Sequence, residues 1–200
     1  NALVGSGQTL KVDGTGVTAY SISWIGSSET DGSFDIDGGS LGDTLTGGSN
    51  GDQIDGFAGA DSLTGGGGGD VLSGDSGVDT ISGGDGVDTI YGGNDGDFLY
   101  GNNDGDRIYG DGGNDTIQGN AGDDYIEGLA GNDVIWGGNG LDSMVGGTGA
   151  DIFDYTATSE FWDKISDFAG DGTHDNIRFD IDSGAGGLFS TAFDGAFFRW

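Results

Sequence analysis

The sequence predicts an all-β chain, a parallel solenoid of 18-residue coils with a cap at each end, and three columns of residues predict it. Read in nines from Gly38, the chain holds thirteen consecutive units up to Asp154 without insertion or deletion. The first place of every unit is glycine, from Gly38 to Gly146. The sixth is aspartate throughout: Asp43, Asp52, Asp61, Asp70, Asp79, Asp88, Asp97, Asp106, Asp115, Asp124, Asp133, Asp142 and Asp151. The eighth is always large and apolar: Leu45, Ile54, Leu63, Leu72, Ile81, Ile90, Leu99, Ile108, Ile117, Ile126, Ile135, Met144 and Phe153. Self-similarity at a fixed short period is the mark of a stacked repeat architecture.

Each unit divides into a six-residue turn and a three-residue strand. So short a strand does not stand alone, but it turns its eighth side chain one way and the flanking seventh and ninth the other. Two units then make one coil with a strand on each side, and the Leu and Ile side chains meet in a narrow interior. The turns need positive φ, which glycine adopts without steric penalty. Most fourth places are glycine (Gly59, Gly68, Gly77, Gly86, Gly113, Gly122, Gly131, Gly140, Gly149). Asn50, Asp95 and Asp104 stand at three others, and Asn and Asp best tolerate left-handed backbone. Leu41, in the first unit, is the one poor fit.

The flanks leave the period. Thr9–Val12 and Tyr20–Trp24 alternate apolar with polar and read as strands with one buried face, and Phe34 and Ile36 carry the alternation into the array. Residues 1–37 are expected to cap one end of the solenoid, where a terminal coil would bare an apolar cross-section. At the other end, Asp163–Phe168 and Asp175–Asp180 precede a tail with Phe189, Phe193, Phe197, Phe198 and Trp200, with Ile177, Phe179 and Ile181 alternating as a strand. Residues 155–200 are expected to form the second cap.

Composition bounds the partners. The chain has 200 residues, 48 of them glycine, with no proline or cysteine and a formal charge of −30. Such a surface repels nucleic acid and anionic membranes and attracts cations. Disulfides are excluded, and no apolar run approaches the ~20 residues of a membrane span. Asn1–Gly5 lack the pattern of a cleavable signal peptide. Glycine-rich acidic chains are usually disordered, but a disordered linker has no reason to place a large apolar residue every ninth position. Collagen is excluded by the period and the absent proline.

Charge then points to a cation. Units n and n+2 share a side, so their sixth-place aspartates lie about one strand spacing apart, and columns of carboxylates at that range repel strongly. Between Gly38 and Asp154 there are twenty-two acidic residues and one basic, Arg107, a net of −21. Thirteen units offer at most eleven n/n+2 pairs, and eleven divalent ions would nearly cancel that charge. Calcium takes six to eight oxygen ligands, whereas magnesium prefers fewer protein ligands and keeps its water.

A unit such as Gly83-Gly84-Asp85-Gly86-Val87-Asp88-Thr89-Ile90-Tyr91 resembles the RTX nonapeptide, Gly-Gly-x-Gly-x-Asp-x-apolar-x. The resemblance covers 117 of 200 residues. It implies a right-handed parallel β-roll that binds Ca²⁺, with carbonyls of the glycine turns (Gly66, Gly68, Gly84, Gly86, Gly138 and Gly140 in the cleanest units) joining the aspartates of adjacent coils. It also implies a bacterial protein exported unfolded by type I secretion machinery, with its secretion signal at the C-terminal end, that folds outside in calcium. Asp163–Phe168 resembles the Asp-x-Ile-x-Asp-Phe segment that often follows such arrays, while the ending Phe198-Arg199-Trp200 departs from the acidic-then-apolar terminus of secreted proteases and lipases in the family.

Catalysis is not encoded. Gly-x-Ser-x-Gly occurs around Ser40 and Ser49, but both lie in repeat turns with no helix to follow, unlike a hydrolase elbow. There is no His-Glu-x-x-His, and the single histidine, His174, suits a solvated loop. Aromatic side chains gather at the outward seventh and ninth places: Tyr91, Tyr109 and Tyr125 on one side, Phe98, Tyr100 and Trp136 on the other. Cross-strand stacking accounts for them. Docking of an upstream domain or a glycan is the alternative for Phe98, Tyr100 and Trp136. The sequence thus reads as a secreted calcium-triggered folding and export module. The alternatives are a polysaccharide- or surface-binding module, as in RTX adhesins or alginate-epimerase repeat modules, and the non-catalytic C-terminal domain of a serralysin-like protease or lipase. Ice binding is rejected, because the third and fifth places carry no regular Thr or Asn rank.

Overall fold

A computed structural model describes residues 5–28, 30, 32–156, 162–168 and 174–179. Those residues form strands and turns with no helix. The first strands are β1 (Thr9–Asp13), β2 (Ser23–Ile25), β3 (Ser33–Asp37), β4 (Thr44–Thr46) and β5 (Gln53–Asp55). Ten six-residue strands follow: β6 (Ser62–Gly67), β7 (Val71–Ser76), β8 (Thr80–Asp85), β9 (Thr89–Asn94), β10 (Phe98–Asn103), β11 (Arg107–Gly112), β12 (Thr116–Ala121), β13 (Tyr125–Ala130), β14 (Val134–Asn139) and β15 (Ser143–Thr148). The last are β16 (Ile152–Tyr155), β17 (Lys164–Ile165) and β18 (Asn176–Phe179).

Odd-numbered strands make one nine-stranded sheet and even-numbered strands another. All pairings are parallel, and within the array partners lie 18 residues apart, as in Leu63↔Ile81 and Leu99↔Ile117. Successive units therefore alternate between sheets, giving the parallel β-solenoid expected. At the ~4.8 Å spacing of paired strands, nine strands make a rod roughly 40 Å long.

Alternation fixes which side chains are inside. The thirteen eighth-place residues, Leu45 to Phe153, are all at most 1% exposed. With Phe34, Ile36 and Tyr155 they form a single apolar interior. Leu10, Val12, Ile22 and Trp24 pack on it near one end and Ile165, Phe168 and Ile177 near the other. Trp24 meets Phe34 edge-on at 5.6 Å between ring centres, and Phe153 lies 6.4 Å from Phe168.

The flanks share the sheets of the array. β3 pairs with β5 at the same 18-residue offset, Ile36 opposite Ile54, which puts Phe34 in the place that aspartate holds elsewhere. β1 and β2 stack at offsets of 24 and 21 residues (Thr9↔Ser33, Ser23↔Thr44), so their connecting loops are longer. β17 and β18 repeat those offsets at the far end (Ser143↔Lys164, Ile152↔Asn176).

Two expectations need correcting. Strands β6 to β15 are six residues long, not three, because the parallel ladder runs on into the first three places of the next turn, as in Gly66↔Gly84 and Gly67↔Asp85. The strand read over Tyr20–Trp24 is confined to Ser23–Ile25, and Tyr20 is 78% exposed. Ile181 and the aromatic tail from Phe189 to Trp200 lie outside the described residues.

Candidate metal centre

The site begins with the turns. In each of the eleven turns from Gly56 onward, the second and fourth places both have positive φ, for example Gly66 and Gly68, Gly84 and Gly86, Gly138 and Gly140. Asp95 and Asp104 take this geometry at the fourth place, as expected. Asn50 does not, and neither does Leu41, so the two turns nearest the N-terminus are built differently. The second place escaped the sequence reading because glycine is not constant there: Phe57, Asp75, Asn102, Asp111, Asn120 and Leu129 all sit at positive φ. Leu129 and Phe57 are residue types for which that backbone is strained, and stacking of the turns holds them in it.

The sixth-place aspartates are buried, each at most 4% exposed. Their two carboxylate oxygens do different things. Oδ1 accepts the backbone N–H of the aspartate one coil earlier, from Asp43 N to Asp61 Oδ1 through Asp133 N to Asp151 Oδ1, at 2.6–2.9 Å. The chain leaves its ladder at this place, and the side chain of the next coil supplies the acceptor that a buried N–H requires. The columns outlast the repeats: Asp163 accepts from Asp142 N at 3.0 Å and Asp175 from Asp151 N at 3.1 Å. Asp167 takes the N–H groups of Gly146 and Gly147. Those three roles were hidden in sequence, since the loops before them are longer than a unit.

Oδ2 turns back over its own turn. In Asp61, Asp70, Asp79, Asp88, Asp97, Asp106, Asp115, Asp124 and Asp133 it is buried with no hydrogen-bond partner. It lies against the bare Cα of the first-place glycine: a Cβ on Gly65 would be 2.1 Å from Asp70 Oδ2, and one on Gly83 2.3 Å from Asp88 Oδ2. The same Cβ atoms would come within 2.7 Å of Gly83 O and 2.9 Å of Gly101 O, the carbonyls one coil on. The invariant first glycine therefore serves close approach rather than positive φ, which it does not have. Carboxylate and carbonyl oxygens gather where a side chain would otherwise stand.

Burial pushes these carboxyls well above the usual carboxylate range. Asp70, Asp79, Asp97, Asp106, Asp124 and Asp133 are raised to about 7, and Asp61, Asp88 and Asp115 to about 6. The main cause throughout is burial, which penalises the charged form; the N–H bond to Oδ1 opposes it and neighbouring carboxylates mostly add to it. At neutral pH the roll thus holds a file of buried acids whose ionised form has no compensating charge.

Such a donor set fits a hard cation. Among the described residues no three acidic or imidazole side chains converge on one point, so an ion needing six to eight oxygens would draw most from turn carbonyls. An all-oxygen site of buried carboxylate and backbone carbonyl suits calcium, which when bound supplies the positive charge that Oδ2 lacks. The turn of Gly66 and Gly68 stacks tightly on that of Gly84 and Gly86, since a Cβ on Gly84 or Gly86 would be 2.0 or 1.9 Å from Gly66 O or Gly68 O.

The remaining sequence candidates fall outside these turns. Tyr91 and Tyr109 stack at 5.2 Å and Tyr109 meets Tyr125 edge-on, all on the odd-strand sheet. Phe98, Tyr100 and Trp136 lie on the even-strand sheet, where Tyr100, Gln118 and Trp136 share one row. Ser40 and Ser49 lie in turns with no helix after them, and His174 is exposed.

Parallel coils with carboxylates buried at every turn define the class: a β-solenoid of cation-binding repeats. A sequence model of the RTX calcium-binding nonapeptide repeat matches in four copies, over residues 37–72, 64–99, 100–135 and 118–153. The chain belongs to that family, whose repeats bind calcium as a structural module. No curated protein matches it.

Proposed function

We propose that this chain is a module that rolls up when calcium enters its turns after export, and that it gives folding and stability to a larger secreted protein. The observation that carries the reading is the file of nine buried Oδ2 atoms without a partner. Bare carboxylates in that setting are costly: even about 1 kcal/mol for each matches the ~5–15 kcal/mol by which a domain is stable. Binding free energy is then folding free energy. In a low-calcium cytoplasm the chain stays open and can pass the type I machinery, and outside the cell it folds. The sixth-place aspartates from Asp43 to Asp151 are the candidate ligands, with the turn carbonyls of Gly66, Gly68, Gly84, Gly86, Gly138 and Gly140. The test is circular dichroism of the chain in chelator and in millimolar calcium: a β spectrum that appears only with calcium supports the reading, and a spectrum indifferent to chelator refutes it.

A second reading rests on the even-strand sheet. A shallow groove of about 230 Å³ is lined by Gln118, Asn120, Trp136, Gly138, Asn139 and Thr156, none of them charged. Amides beside a half-buried indole are the chemistry of a neutral glycan, with Phe98 and Tyr100 extending the same face. Replacing Tyr100 and Trp136 with Ser should abolish retention on neutral polysaccharide and leave calcium-dependent folding intact; unchanged retention removes this reading.

A further inference from the structure

The two N-terminal turns share the repeat motif and the close approach of Oδ2 to the first-place glycine with the others, but not their backbone geometry or the partners of Oδ2. Asp43 Oδ2 accepts the N–H of Gly39 and Asp52 Oδ2 that of Gly48, both at 2.6 Å. Their Oδ1 atoms accept from Ile22 N at 2.5 Å and Phe34 N at 2.6 Å. Both carboxylate oxygens are thus closed by backbone donors. In the nine turns from Asp61 to Asp133, Oδ2 has no such donor.

The backbone explains the difference. Positive φ at the second and fourth places begins only with Phe57 and Gly59. Leu41 is a residue for which left-handed backbone is costly, and the turns of Leu41 and Asn50 do not adopt it. Without it the second-place N–H of Gly39 and Gly48 faces the carboxylate. The six-residue strands likewise begin only with β6, whereas β4 and β5 have three residues each. Before them in the column stands Phe34, with no carboxylate at all.

We propose that Asp43 and Asp52 are backbone-closing residues and not calcium ligands, so that the ladder of ions starts at Asp61 and the first coil of the array closes without metal. This inference rests on the calcium reading above and narrows it. Eleven aspartates from Asp61 to Asp151 make nine pairs one coil apart, against eleven pairs for the whole array. The first coil would then be a template already in register when the first ion arrives.

The test is calorimetric titration of the full chain with calcium chloride, for wild type, Asp43→Asn/Asp52→Asn and Asp88→Asn/Asp97→Asn, alongside a calcium anomalous map of wild-type crystals. The expected stoichiometry is about nine for wild type, unchanged in Asp43→Asn/Asp52→Asn and lower in Asp88→Asn/Asp97→Asn. Equal losses in the two variants overturn the inference. Should a variant fail to roll up, the map decides. A peak within ~2.3–2.6 Å of an Asp43 or Asp52 carboxylate oxygen, a calcium–oxygen distance, overturns it; a ladder that begins at Asp61 sustains it. No heat and no peak anywhere would overturn the calcium reading itself.

Discussion

Replacing Gly83 with Ala, and Gly67 with Ala as its control, isolates what the first-place glycine does. Neither position has positive φ, so backbone strain does not distinguish them. A Cβ on Gly83 would lie 2.3 Å from Asp88 Oδ2, 3.0 Å from its Cγ and 2.9 Å from Gly101 O. Comfortable contact for carbon is ~3.5–4.0 Å, so the methyl group must displace the carboxylate or push neighbouring coils apart. Overpacking of this kind costs about 1–3 kcal/mol. Moving the Asp88 side chain would also release the N–H of Asp70, which Asp88 Oδ1 accepts at 2.8 Å, adding about 1–3 kcal/mol for a buried unpaired donor. At ~2–4 °C per kcal/mol for a chain of this size, Gly83→Ala should lower Tm in saturating calcium by roughly 5–20 °C. A Cβ on Gly67 meets nothing nearer than Ser49 Cα at 3.6 Å, so Gly67→Ala should be neutral or gain about 0.4–1 kcal/mol from a less flexible unfolded chain. Thermal melts by circular dichroism read both. Equal Tm values for the two variants would refute the close-approach argument.

The metal-free chain should respond to acid in an unusual direction. Its buried carboxyls titrate at about 6 or 7 in the roll and near ~3.9 when unfolded. Between those values the roll binds more protons than the open chain, and its stability falls as pH rises through the window. Ellipticity in calcium-free buffer should therefore grow from pH 8 to pH 4.5, and a flat or declining signal would count against it. Calcium affinity should weaken over the same range, since the ligands must be deprotonated to hold metal. Ile108→Ala, at a fully buried place between Ile90 and Ile126, should cost ~2–5 kcal/mol in calcium, measured by melting; a change under 1 kcal/mol would mean that the interior is less tightly packed than described.

The interior and the alternation of sheets were legible in sequence because one residue in nine must be apolar to be buried, and nothing else selects Leu45, Ile54 and their successors. The fourth-place glycines were legible for the same reason, a single cause acting at a single place. The first-place glycines were seen but their cause was not, since a sequence does not tell positive φ from close approach. Phe57 and Leu129 were missed because stacking against neighbouring turns overrides what those residues prefer locally. Asp163 and Asp175 joined the columns unseen, as coil length varies at the ends while hydrogen-bond register does not. The carboxylate columns themselves could be read, but not the division of labour within each carboxylate.

That division makes a further substitution pair decisive. Asp97 Oδ1 accepts Asp79 N at 2.8 Å, while its Oδ2 is buried without a partner. Asp97→Asn keeps an oxygen for the Asp79 N–H and removes the charge; Asp97→Ala removes both. In calcium both variants should be destabilised, because each deletes an anionic candidate ligand. Without calcium at neutral pH the two should separate. Asn relieves a carboxyl that burial raises to about 7 and should hold or raise the residual structure, whereas Ala leaves a buried N–H unpaired at a cost of about 1–3 kcal/mol. The measurement is residual β ellipticity in chelator, titrated from pH 8 to pH 4.5 where the metal-free roll gains stability, compared with urea unfolding curves in calcium. If Asn and Ala are equally harmful without calcium, Oδ1 does not hold the coils together, and the aspartate acts on the fold through the ion alone.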